Sequence, residues 1–204
     1  MPKVDLDNMD NMYFDVLKEL GNIGAGNATT SLSQMLQIKV DMKVPKVELL
    51  SFHEVGEAMG GEELVMAGIY LLVEGDITGS MMFLLQKKSA GVLVSHLMGM
   101  PVSDEENFSE MEMSALKEIG NIITGSYLNA LSSLTNLKIF PSIPDLCIDM
   151  AGAILSVPAI EFGIMGDKIL LIETAFTDDS ELNGYFILIP DLQSYDKILG
   201  ALGM

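Results

Sequence analysis

Two short strings in this chain could do chemistry, and they are nearly the same string. Glu19 and Asn22 stand three residues apart, and so do Glu118 and Asn121. On a helix that spacing puts both side chains on one face, about a turn apart. The chemistry open to such a pair is narrow. A carboxamide does not titrate, so Asn serves neither as a general base nor as a nucleophile. It accepts and donates hydrogen bonds, and can hold a water in line with an electrophile. A carboxamide has this part in phosphate hydrolysis by small GTPases. Glu, one turn earlier, can act as a base or pair with a cation on a partner.

The residues that must position these groups repeat as well. Leu17-Lys18-Glu19-Leu20-Gly21-Asn22-Ile23-Gly24-Ala25-Gly26 aligns with Leu116-Lys117-Glu118-Ile119-Gly120-Asn121-Ile122-Ile123-Thr124-Gly125 at an offset of 99. Leu32 maps onto Leu131, and Val44-Pro45-Lys46-Val47 onto Ile143-Pro144-Asp145-Leu146, at the same offset. Further on the halves drift but still correspond: Gly79 to Leu85 resembles Gly184 to Ile189, and Leu97 to Met100 resembles Ala201 to Met204. Two copies of about a hundred residues point to a duplicated, pseudo-symmetric domain rather than a solenoid. We read one domain over 1–204 made of two repeats, about 12–103 and 108–204.

Each repeat predicts a long helix first (about 12–36 and 108–135), then a strand introduced by proline (near 44–52 and 144–156). A strand pair follows, 65–74 with 78–86 and 168–176 with 183–190, and a closing helix, about 88–99 and 191–202. The turns Glu74-Gly75-Asp76 and Thr177-Asp178-Asp179-Ser180 are short, which favours antiparallel pairing. The fold class is therefore α+β: a pseudo-two-fold antiparallel sheet of about six strands, covered by two long helices and shorter ones. Ser109 three residues before Glu112 predicts a capping box at the second long helix, after an acidic linker at Asp104-Glu105-Glu106-Asn107.

Helical spacing sorts the long helices into two sides. Leu17, Leu20, Gly24, Ala28 and Met35 fall inside, as do Leu116, Ile119, Ile123 and Leu134. Asp15, Glu19, Asn22 and Gly26 form an outer stripe, repeated as Ser114, Glu118, Asn121 and Gly125. A surface drifts after duplication because most surface substitutions cost little. Asn27 has become Ser126, whereas Asn22 has stayed Asn. Inside the fold, Gly24 is expected to pack closely on the sheet. An outer glycine needs another reason, and a partner backbone approaching at Gly26 and Gly125 would supply it.

Composition removes several function classes. A net charge of −18 argues against nucleic acid and anionic membrane as partners. All eleven basic residues are Lys, so the chain lacks the usual bidentate phosphate clamp and transition-state finger. No Gly-x4-Gly-Lys-Ser/Thr loop occurs. His53 and His96 have no cysteine at ligand spacing, so no metal site is expected and both read as surface residues. Cys147, the single cysteine, rules out an internal disulfide and reads as a small core residue. The longest apolar run, Leu64 to Val73, is about half of the ~20 residues a spanning helix needs, and Met1-Pro2-Lys3-Val4-Asp5 is no export signal. A cytoplasmic protein, monomeric when alone and with no cofactor of its own, is the expectation.

Phosphate chemistry on such a chain must be completed by the partner. A response-regulator receiver brings an aspartyl phosphate, a bound divalent cation such as magnesium, and a Lys, and needs only a positioned water. The pattern Asp/Ser-x3-Glu-x2-Asn-x3-Gly, present as Asp15-Glu19-Asn22-Gly26 and Ser114-Glu118-Asn121-Gly125, resembles the signature of the CheC/CheX/FliY phosphatases. The flanking strings and the duplicated layout are similar to CheC, whereas CheX-like proteins keep one such helix. The resemblance implies hydrolysis of phosphorylated CheY in chemotaxis, with Asn22 and Asn121 positioning water and Glu19 and Glu118 pairing with the receiver's Lys. It also implies two long helices beside a continuous antiparallel sheet, and a second partner, the receptor deamidase CheD. Cys147-Ile148-Asp149-Met150 is similar to a CheC string too, which makes Asp149 the candidate CheD contact, against a strand residue that merely faces solvent. The alternative is a non-catalytic adaptor for the receiver or for CheD; a structural flagellar-switch component ranks last.

Overall fold

The computed structural model describes residues 11–37, 39–101, 107–162, 168–177 and 181–203. The first repeat supplies α1 (Asn11–Leu36), β1 (Asp41–Ser51), α2 (Phe52–Ala58), β2 (Val65–Gly75), β3 (Gly79–Gln86) and α3 (Lys87–Met98). The second supplies α4 (Glu110–Thr135), β4 (Ile139–Pro141), β5 (Asp145–Met150), α5 (Ala151–Phe162), β6 (Lys168–Thr177), β7 (Glu181–Pro190) and α6 (Leu192–Ala201). The start Met1 to Asp5, linker residues Asp104 to Glu106, turn residues Asp178 to Ser180, and Met204 lie outside the described residues.

One antiparallel sheet of seven strands runs through the molecule in the order β1-β6-β7-β3-β2, with β4 and β5 both pairing with β2. At its centre β3 and β7 pair so that Met82 faces Ile187. Those are the residues that the alignment of the two copies makes equivalent, so the pseudo-two-fold passes through this pair, normal to the sheet. The first strand of each repeat does not stay with its own hairpin. β1 pairs with β6, and β5 pairs with β2. Each copy completes the sheet of the other.

The strands alternate strictly between two apolar layers. Ala67, Ile69, Leu71, Met81, Phe83, Leu170, Ile172 and Phe186 join the cluster that holds α1 and α4. Met66, Met82, Leu84, Ile169, Leu171 and Ile187 face the other way, onto Val55 of α2, Met59 at its C-cap, and Ile154 and Leu155 of α5. A sheet covered on both faces needs apolar residues at successive positions, which is why β2 and β3 read as near-continuous hydrophobic runs.

Duplicated glycines seat the long helices. A methyl group built on Gly120 would lie 2.7 Å from Ile69, and one on Gly21 would lie 3.3 Å from both Ile172 and Val44. Each long helix therefore rests in part on the other repeat's hairpin: α4 on β2, and α1 on β6 as well as on its own β1. Gly24 differs from expectation, because its close neighbour is the Tyr127 ring of α4 at 2.7 Å and not the sheet. Tyr127 in turn stacks on Phe186 with ring centres 4.1 Å apart. The helix pair itself takes up the space that Gly24 leaves.

The predicted capping box at α4 is present: Glu112 N donates to Ser109 Oγ at 3.3 Å, and Ser109 N donates to Glu112 Oε2 at 2.7 Å. An equivalent box opens α2, where Glu54 N donates to Ser51 Oγ and Ser51 N to Glu54 Oε2. Four expectations are corrected. The strand placed near 144–156 ends at Met150, and Ala151 starts a helix. β4 raises the sheet to seven strands. Leu134, placed inside, is 42% exposed near the end of α4. Cys147 lies on an exposed edge strand, its thiol donating to the Gly68 carbonyl, and is not a core residue.

Candidate functional site

The outer stripes open to solvent on both long helices. Asp15, Glu19, Asn22 and Gly26 of α1 are exposed, and so are Ser114, Glu118 and Asn121 of α4; Gly125 is half-buried. Backbone carbonyls beside the stripes are held by short side chains. Thr30 Oγ1 donates to Gly26 O at 3.1 Å, and Thr124 Oγ1 donates to Gly120 O at 2.7 Å and to Asn121 O at 3.3 Å. Ser126, which replaces Asn27 in the second copy, is buried and donates to Ile122 O at 2.7 Å. The position that drifted thus moved into the interior, and the Asn that stayed is outside.

Four duplicated glycines now divide into two kinds. Gly21 and Gly120 are explained by the sheet beneath them. Among the described residues, nothing beyond the local helix backbone lies within 4 Å of where a side chain would begin on Gly26 or Gly125. Nothing among the described residues requires them, although a glycine inside a helix costs about 1 kcal/mol relative to Ala.

Lys18 and Lys117 were not singled out from the sequence, yet they belong to this surface. Each lies one turn before its Asn, on the flank opposite Glu, and both are exposed. Their identity at matched outer positions is the signal that could have found them.

Asp149 is elsewhere. It is exposed on β5 and pairs with Met66, whose side chain enters the α2–α5 layer, so it lies on the sheet face opposite the stripes. Its Oδ1 accepts from the Met150 amide at 2.7 Å. Desolvation and then the Asp149 charge push the nearby Cys147 thiol above its ordinary pKa, so it stays protonated at neutral pH. The α5 helix that follows is apolar around its whole circumference, leaving Val157 and Ile160 exposed, Ile160 by 76%. His53 and His96 are exposed, as expected. Among the described residues no three His, Cys, Asp or Glu side chains gather closely enough to hold a metal ion. No helix among them is long and apolar enough to cross a membrane.

The model of the CheC-like family matches the chain twice, at residues 12–49 and 111–148. The two spans begin 99 residues apart, and each contains one Glu/Asn pair. Over 194 residues the chain is 41% identical to the CheY-P phosphatase CheC of Bacillus subtilis (strain 168), covering 93% of both proteins. The chain belongs to the CheC-like family. Solved structures with this fold include FliY of Thermotoga maritima, at 21% identity and a TM-score of 0.77 over 96% of this chain and 98% of that one. The CheX of Borrelia burgdorferi, solved as a CheX–CheY–BeF3–Mg complex, matches at 18% identity and a TM-score of 0.53, over 82% of this chain and 96% of that one. Both likenesses concern the fold. Membership in the CheC-like family agrees with the duplicated helices and with the antiparallel sheet they cover.

Proposed function

We propose that this chain is a phosphatase that hydrolyses the aspartyl phosphate of a CheY-type receiver. The 41% identity to a protein named CheY-P phosphatase, spread over 93% of both chains, supports the activity. The observation that carries the site is the pair of exposed carboxamides, Asn22 and Asn121, each beside a glycine with open space above it.

In this reading the receiver docks on a stripe with its backbone close to Gly26 or Gly125, and Asp15 or Ser114 borders the contact. Glu19 or Glu118 pairs with the receiver's Lys. The Asn carboxamide accepts a hydrogen bond from one water and holds it in line with the phosphorus. The water oxygen bonds to phosphorus as the bond to the aspartyl oxygen breaks, which frees the carboxylate and inorganic phosphate. A divalent cation, magnesium, sits on the receiver and offsets the charge that develops on the phosphoryl oxygens. The chain itself supplies geometry and needs no cofactor.

Loss of one positioned hydrogen-bonding group costs about 10²–10³ in rate. Asn22→Ala combined with Asn121→Ala is therefore expected to return phospho-receiver decay to its unassisted rate. An undiminished rate in the double variant would sink the water-positioning reading.

CheD is the second proposed partner. Asp149 and the exposed Val157 and Ile160 of α5 lie across the sheet from the stripes, so both partners can be bound together. Asp149→Lys should weaken CheD capture in a pull-down and leave receiver dephosphorylation without CheD unchanged. Capture at full strength removes Asp149 from that surface.

A further inference from the structure

We infer that the two stripes diverge far enough for one chain to hold two receivers at once; this rests on the receiver reading above. α1 and α4 touch where a methyl group on Gly24 would meet the Tyr127 ring at 2.7 Å and the Tyr127 Cα at 3.1 Å. The pseudo-two-fold places the matching contact between Ala28 and Ile123. Because the axis is normal to the sheet, the helices run antiparallel and pass one another beside Gly26 and Gly125.

Helical geometry then gives the direction of each carboxamide. At about 100° per residue, Asn22 stands about 160° around α1 from Gly24, and Asn121 about 120° around α4 from Tyr127. Each Asn points away from the neighbouring helix. Axes of helices packed this closely lie about 8 Å apart. Side chains reach about 5–6 Å from the axis, and four residues of rise set each Asn about 6 Å from the crossing, in opposite directions. The two carboxamides are accordingly some 20 Å apart and face opposite flanks.

Size decides the rest. A receiver-like domain of roughly 120 residues has a radius of gyration near 14 Å and is about 35 Å across. Two such bodies would collide over sites 20 Å apart that faced the same way. On diverging flanks their centres fall roughly 40 Å apart, and both fit. The duplication thus yields two independently served sites and not one site with a spare.

The test is a binding titration of the intact chain with a CheY-type receiver loaded with beryllofluoride and magnesium, read by calorimetry and by sedimentation mass. Two receivers per chain are expected at saturation. Gly26→Phe and Gly125→Phe, placed where no atom lies within 4 Å, should each reduce that number to one and together to none. Saturation at one receiver in the native chain overturns the inference, whichever substitution then abolishes binding. A native chain that binds no receiver at all overturns the receiver reading itself, a separate outcome from the count.

Discussion

Glycine in the middle of a helix weakens it, and this chain keeps five in the central turns of α1 and α4. They separate into opposite predictions. Gly24→Ala would press its methyl group into Tyr127 at 2.7 Å, close to backbone at 3.1 Å, so it should lower the urea midpoint. Gly26→Ala meets nothing, and helix propensity alone should raise stability by about 1 kcal/mol. The same substitution sets a side chain between the stripe and its partner, so receiver turnover should fall as the melting temperature rises. A Gly26→Ala protein that is both more stable and fully active would show that the open space has no part in docking. Among residues, those that could be read from the sequence were the ones whose type is surprising for their place: Asn on a helix surface, and glycine where no core asks for one. Cys147 and Leu134 misled because a single apolar residue carries no sign of whether its strand is at an edge or its helix turn near an end.

At the scale of elements, the caps hold what periodicity can only suggest. Asp191 caps α6: its Oδ1 accepts from Ser194 N at 2.7 Å, and Thr78 Oγ1 donates to its other carboxylate oxygen. Ser194 Oγ returns a bond from Thr78 N at 2.9 Å, tying the first repeat's hairpin turn to the second repeat's last helix. Burial pushes the Asp191 carboxyl up, yet these hydrogen bonds together outweigh burial and hold it below the ordinary aspartate range. A carboxylate with a depressed native pKa adds stability above its unfolded pKa and loses it as pH falls through the native value. Asp191→Ala should therefore cost about 1 kcal/mol at neutral pH, with the gap to the native chain closing in acid. A gap that stays constant from neutral pH down to pH 2 would mean that the charge is irrelevant to the cap. Long helices, hairpins and the α4 capping box were legible because each has a periodic or local mark. The α2 box, Ser51 to Glu54, has the same mark and could have been read. α5 could not: apolar on every side, it shows no 3.6-residue period and continues the hydrophobic run of β5, so strand and helix look alike there.

The whole molecule is a sheet in which each copy lends its first strand to the other. That exchange was out of reach of the sequence, since the alternation of a strand fixes its faces and does not name its neighbour. An isolated 108–204 segment would leave β5 without β2 and Gly120 without Ile69 beneath it. It should show no cooperative thermal transition, whereas the two halves expressed together should restore one. A cooperative transition in the isolated half would contradict the shared sheet.

Part of the floor of each striped helix belongs to the opposite copy, Ile69 under Gly120 and Ile172 under Gly21. Descendants of a duplication are ordinarily free to let one member decay. Here a lesion in either member is felt beneath its sibling's exposed carboxamide, so neither can be abandoned as scrap. Selection on one stripe polices the interior of both, and the pair is bound to age together.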